Sequence, residues 1–103
     1  MRKEKILSMS SIQKKMYFRN RCLKHDYGIS LEDYNIMFND QGGKCYLCGI
    51  HALELDRAFD VDHDHETGKV RKLLCSYCNK LLGQIETNPE FLIKAQKYIE
   101  EYK

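Results

Sequence analysis

Apolar residues recur at helical intervals in several stretches of the chain, and two short runs between them read instead as strands. Across residues 11–24, Ile12, Met16 and Leu23, with Met9 just ahead, fall on one side of a predicted helix. Lys15 and Arg19 lie four apart on another side, and Lys14 and Arg21 seven apart, so its cations gather in stripes. A second helix is predicted to begin at Ser30, an N-cap residue with Glu32 and Asp33 in the first turn. Leu31, Tyr34 and Phe38 give it an apolar face that belongs in a core, and Gly42 and Gly43 end it. Residues 58–62 and 70–74 are the strand-like runs, with Glu66, Thr67 and Gly68 as the turn between them. A helix over residues 77–84 follows. The last helix starts at Asn88, Pro89 and Glu90, read as a cap, a first-turn proline and a favourable charge. Phe91, Ala95, Tyr98 and Tyr102 then recur at helical spacing, which predicts a face packed in the core. The fold class is α+β and mostly helical.

A chain of 103 residues makes one compact domain whose core needs help to be stable. No stretch is long or apolar enough to cross a membrane. The opening residues are charged without an apolar run, which predicts neither an export signal nor a secreted disulfide scaffold, and five cysteines is an odd number for one. The formal charge of +2 hides an asymmetry. Residues 1–25 carry eight Lys/Arg against Glu4 alone, whereas the remainder carries nine basic and fourteen acidic side chains. The chain therefore divides into a basic helical arm, 1–25, and a body, 26–103, within a single domain. The arm predicts a polyanionic partner, with Lys14, Lys15, Arg19 and Arg21 as contacts, against the simpler reading of a solvated helix face.

The chemistry sits between two Cys-x-x-Cys pairs, Cys45/Cys48 and Cys75/Cys78. Two intervening residues let both thiolates of a pair reach one ion, and two such turns make a four-thiolate structural zinc site. The 26 residues between the pairs are enough for a folded unit, a ββα element pinned by zinc at both ends. Cys22 is read as a small buried hydrophobe or a free thiol. Inside the clamp lie Asp60, Asp62, His63, Asp64, His65 and Glu66, and Asn79 follows the last cysteine. Closing the clamp should bring Asn79 beside Asp62 and His63. An Asp carboxylate and an Asn carbonyl are hard oxygen ligands suited to Mg²⁺ or Mn²⁺, and a neutral His beside them can take a proton from an attacking water. Strict alternation would send Asp62 and His63 to opposite faces, so the strand must end or bulge there. Asp60 and Asp64 are read as solvated or supporting carboxylates, His25 and His51 as surface residues. Arg71 and Lys72 are candidate phosphate contacts.

At these residues the chain resembles the recombination endonuclease VII family of HNH, or His-Me finger, nucleases. The resemblance runs through Cys45 to Gly49, Val61 to Arg71 and Leu73 to Asn79, and extends upstream to Tyr27 through Tyr34 and to Gln41 through Gly43. It implies a zinc-pinned ββα-metal unit in which Asp62 and Asn79 hold the catalytic metal, His63 is the general base and His65 sits against the scissile phosphate. The implied reaction is phosphodiester hydrolysis leaving 5′-phosphate and 3′-hydroxyl ends, on duplex or branched DNA, in the cytoplasm of a bacterial host if the protein is phage-encoded. Membership of a dimeric family also implies a homodimer. Some members carry an acidic residue in the helix after the second zinc turn, where this chain has Leu81 and Leu82, so fewer protein oxygens are expected on the metal. Little room is left after that helix for the extension that shapes branched-DNA recognition, which leaves site-specific cutting and nonspecific nicking as alternatives. A zinc-stabilised nucleic-acid-binding module and a zinc-supported protein-interaction domain are the readings without catalysis.

Overall fold

Two capping boxes and one hairpin set the architecture. A computed structural model of the chain describes residues 8–103; Arg2, Lys3 and Lys5 of the basic arm lie outside the described residues. Helix α1, Ser11–Tyr27, starts where the Ser10 hydroxyl accepts from the Gln13 amide and Gln13 Oε1 accepts from Ser10 N–H. It ends at Gly28, whose left-handed φ of 72° suits a residue without a side chain. Helix α2, Leu31–Asp40, is capped in the same way by Ser30 and Asp33, as the sequence predicts. Asn20 Oδ1 accepts from Leu31 N–H at 2.8 Å, joining the two helices at their corner.

After α2 the chain turns through Gly42 and Gly43. A Cβ on Gly43 would approach the His51 ring at 3.1 Å and Phe38 at 3.2 Å, so the first cysteine turn closes only because that position is bare. His51 is structural: its Nδ1 accepts from Leu53 N–H and caps the single 3-10 turn Ala52–Glu54. Strands β1, Asp60–His63, and β2, Val70–Leu74, then pair antiparallel. β1 begins two residues later than the sequence predicts and runs through His63. Asp60 pairs with Leu74, Val61 with Leu73, and His63 with Val70. One residue, Asp62, thus faces two, Arg71 and Lys72. The expected irregularity is present, but the extra residue belongs to β2. Asp64 makes the turn, its Oδ1 accepting from the Glu66 and Thr67 amides, and backbone bonds from Thr67 and then Glu66 hold its carboxyl below the usual range.

Helix α3, Ser76–Thr87, is capped by Cys75, and α4 is Glu90–Glu101. The predicted Asn88 cap is not made: Pro89 is the N-cap residue, with no side-chain cap bond, while Asn88 N–H closes the end of α3. The buried core joins Leu23, Tyr34, Phe59, Val61, Leu73 and Leu74 to Cys45, Cys75 and Cys78. Core and zinc ligands are one cluster. The Tyr34 hydroxyl crosses it to donate to Phe59 O at 2.9 Å.

Two expected apolar faces are not buried. On α1 only Leu23 is buried, while Ile12 and Met16 are exposed. On α4 no residue is buried, and Phe91, Tyr98 and Tyr102 face outward. The molecule is therefore elongated, 64 × 31 × 20 Å, with a radius of gyration of 17.8 Å where a compact chain of this length has about 13 Å. Cys22 is an exposed free thiol. Among the described residues no helix is long and apolar enough to cross a membrane.

Candidate active site and metal centre

The four cysteines of the two turns converge. Their ligand atoms all lie within 4.8 Å of one another, and the Cys48 and Cys75 sulfurs are 3.8 Å apart. A tetrahedral zinc with Zn–S bonds of about 2.3 Å spaces its sulfurs about 3.8 Å apart, so the cluster fits that ion. The local backbone is arranged for thiolates: Cys75 N–H points at Cys45 Sγ and Cys78 N–H at Cys75 Sγ, both at 3.4 Å. Burial pushes the Cys45 thiol up, but amides led by that of Cys75 outweigh it and bring the group down to about 6. Burial pushes Cys75 and Cys78 up, so zinc must displace their protons. The clamp ties the turn before β1 to the N-terminus of α3, and this lays α3 against the hairpin.

That packing creates the second cluster. Asp60 and Asp62 are two apart on β1 and share a face. Asn79, one turn into α3, donates from Nδ2 to Asp60 Oδ2 at 3.3 Å. A carboxylate only accepts, so the amide nitrogen faces Asp60 and the Asn79 carbonyl oxygen is directed away from it. Asp60 is itself held by Arg57 at 3.0 Å. The direct partner of Asn79 is thus Asp60, not the Asp62 that the sequence reading placed beside it. Asp62 is 6% exposed, the one buried charged residue among those described. Arg71 covers it from the extra position on β2, with Nε at 2.6 Å from Oδ2 and Nη2 at 3.0 Å from Oδ1. The same Nη2 donates to Glu86 Oε1 at 2.7 Å. Arg71 is therefore engaged by two carboxylates in this structure, and hydrogen bonds, first to Asp62 and then to Glu86, hold its proton more firmly than usual.

Glu86 is the residue that the sequence reading missed. Leu81 and Leu82 appeared to leave α3 without an acid, but Glu86 lies one turn beyond Leu82 and seven residues beyond Asn79, on the same helix face. The 3.6 periodicity of α3 could have pointed to it.

His63 packs against Tyr27, with ring centroids 5.7 Å apart, and against His65 at 4.8 Å. The end of α1 thereby supplies a wall for the His63 imidazole. Among the described residues no hydrogen bond joins Asp62, His63 and Asn79 to one another. Asp62 and Asn79 carry the oxygen types that a hard divalent ion takes, a carboxylate and an amide carbonyl, with both Asp62 oxygens held here by Arg71. Of the predicted nucleic-acid contacts, Arg19 is exposed and lies 4.6 Å over the Tyr34 ring. Lys72 is exposed and rests 5.3 Å over Tyr46. Lys14, Lys15 and Arg21 are carried by α1, the latter two exposed.

Comparison with known proteins agrees with this architecture. The family model of recombination endonuclease VII matches residues 20–101. The "Gene 59 protein" of Mycobacterium phage D29 is 45% identical over 74 residues, and that of Mycobacterium phage L5 is 43% identical over the same length. Each alignment covers 71% of this chain and 44% of the relative, so the chain spans less than half the length of these curated relatives. Among solved structures, the beta-beta-alpha-Me type II restriction endonuclease Hpy99I is similar with a TM-score of 0.50 and 30% identity, over 81% of this chain and 48% of that one.

Proposed function

The chain belongs to the recombination endonuclease VII family, and from that premise we propose that it is a metal-dependent DNA endonuclease in which Asp62 and Asn79 hold Mg²⁺ or Mn²⁺ and His63 is the general base. The observation that supports the reading is the buried carboxylate of Asp62 on β1, whose neighbour two residues back, Asp60, accepts from the asparagine delivered by the zinc-clamped helix. Burial of an acid with hard oxygens nearby suits a cation site better than a packing role. His63 takes a proton from the attacking water as the new P–O bond forms; the bond from phosphorus to the 3′-oxygen breaks and that oxygen takes a proton from solvent water, leaving 5′-phosphate and 3′-hydroxyl ends. A divalent ion held by Asp62 and Asn79 would supply charge stabilisation to the pentacovalent phosphate and the departing oxygen. Tyr27 and His65 restrain the His63 ring, and His65 is in reach of a phosphate placed there. Lys14, Lys15, Arg21 and Lys72 draw the backbone in by charge.

Duplex and branched DNA both remain substrates under this reading, with nicking and site-specific cutting as alternatives. A second copy of the chain covers the exposed face of α4, giving one active site for each strand. Host cytoplasm follows from the phage relatives. A binding module without catalysis is the competing reading.

A gel comparing linear duplex, single-stranded DNA and a four-way junction, each with Mg²⁺ and with EDTA, separates these. His63→Ala should retain DNA binding and zinc but lose cleavage by about 10² to 10⁴. Near wild-type cutting by that variant would place the base elsewhere, and no cutting of any substrate by the wild type would favour the binding module.

A further inference from the structure

We propose that Glu86 is a positioning residue of the metal site, acting through Arg71: it draws the guanidinium off Asp62 so that a divalent cation can take the carboxylate. This rests on the reading of Asp62 as a metal ligand. Arg71 occupies both oxygens of Asp62 in one fork, at 2.6 and 3.0 Å, so a cation arriving there meets a carboxylate already shared with a positive charge. The groups differ in freedom. The Asp62 side chain is 9% exposed and fixed by the strand, whereas Arg71 is 34% exposed and can swing towards solvent with little loss of burial. Glu86 stands on the outer side of the guanidinium, 2.7 Å from the same Nη2 that holds Asp62 Oδ1. It offers the displaced Arg71 an acceptor that survives the exchange.

Charge gives the direction. Asp62, Arg71 and Glu86 together carry one negative charge. Without Glu86 the sum is zero and the guanidinium has Asp62 as its one acidic partner of the three; without Arg71 the sum is minus two and the guanidinium no longer competes for Asp62. Seven residues along α3 put Glu86 and Asn79 on one face, so a single helix delivers a proposed ligand and the group that clears the other ligand.

The test is Mn²⁺ binding by the zinc-loaded full chain without DNA, read from the electron paramagnetic resonance signal of free Mn²⁺. Glu86→Gln should weaken binding about tenfold, as loss of supporting partners does at metal sites. Arg71→Met should tighten it, and the double variant should return towards wild type. Arg71→Lys, which keeps the charge but cannot fork across two acids, should fall between wild type and Arg71→Met, and serves if Arg71→Met fails to fold. A purely structural clamp would make both single variants bind more weakly. Arg71→Met or Arg71→Lys binding no tighter than wild type, or Glu86→Gln binding unchanged, overturns the proposal. Asp62→Asn is the separate control: if it leaves Mn²⁺ binding intact, the cation is not on Asp62 and the functional reading itself fails, whatever Glu86 does.

Discussion

Gln41 shows what a single side chain can do for a two-stranded sheet. Its Oε1 accepts from Leu73 N–H at 2.9 Å and its Nε2 donates to Leu73 O at 3.0 Å, so the amide pairs with β2 as a third strand would. Leu73 is 0% exposed, and no water reaches that amide. Gln41→Ala should therefore cost about 1–3 kcal/mol, the penalty of an orphaned buried donor, seen as a lowered denaturation midpoint. Restored stability in alanine would mean that the strand finds another partner. This role was not legible in the sequence, because Gln41 and Leu73 are 32 residues apart and a glutamine before two glycines reads as a helix end. Ser30 was legible, since its cap closes within three residues, and so were the four cysteines, whose spacing alone defines the chemistry. Asp62 stood out in the sequence as a candidate, but its pairing with Arg71 depends on the register of a bulge that no local pattern announces.

At the scale of elements, the hairpin and α3 depend on the cysteine clamp more than on apolar burial. Structural zinc contributes on the order of 10–16 kcal/mol in small zinc domains, comparable with the whole stability of a domain of about 5–15 kcal/mol. Cys75→Ser removes a zinc ligand while leaving a hydroxyl able to cap α3, and should abolish zinc binding and the cooperative melt together. A wild-type melting curve in chelator would exclude structural zinc. Since burial favours the protonated forms of Cys75 and Cys78, zinc retention should strengthen as pH rises and fail first in acid, which a chelator competition across pH would measure. Strand and helix identities followed from periodicity, with ends displaced by two or three residues. The larger miss is α4. Periodicity establishes that its face is apolar, yet says nothing about what lies against it, and among the described residues Phe91, Tyr98 and Tyr102 stay more than half exposed.

At the scale of the whole molecule, the face of α4 and the exposed Ile12, Met16 and Phe18 of α1 leave apolar side chains in solvent on two helices, the kind of surface a partner can cover. If a second copy covers α4, then Leu92→Glu with Ile99→Glu should reduce the sedimenting mass by half while leaving zinc content unchanged. A wild type that already sediments as a monomer removes the dimer from the functional reading. If the proposed substrate duplex runs along the 64 Å long axis, that axis sets a site size. At a rise of about 3.4 Å per base pair, it equals about 19 base pairs. The protein would then span nearly two helical turns. Affinity should climb as oligonucleotides lengthen towards that size and level off beyond it, and a hydroxyl-radical ladder on a long duplex should show protection of similar extent for each bound chain.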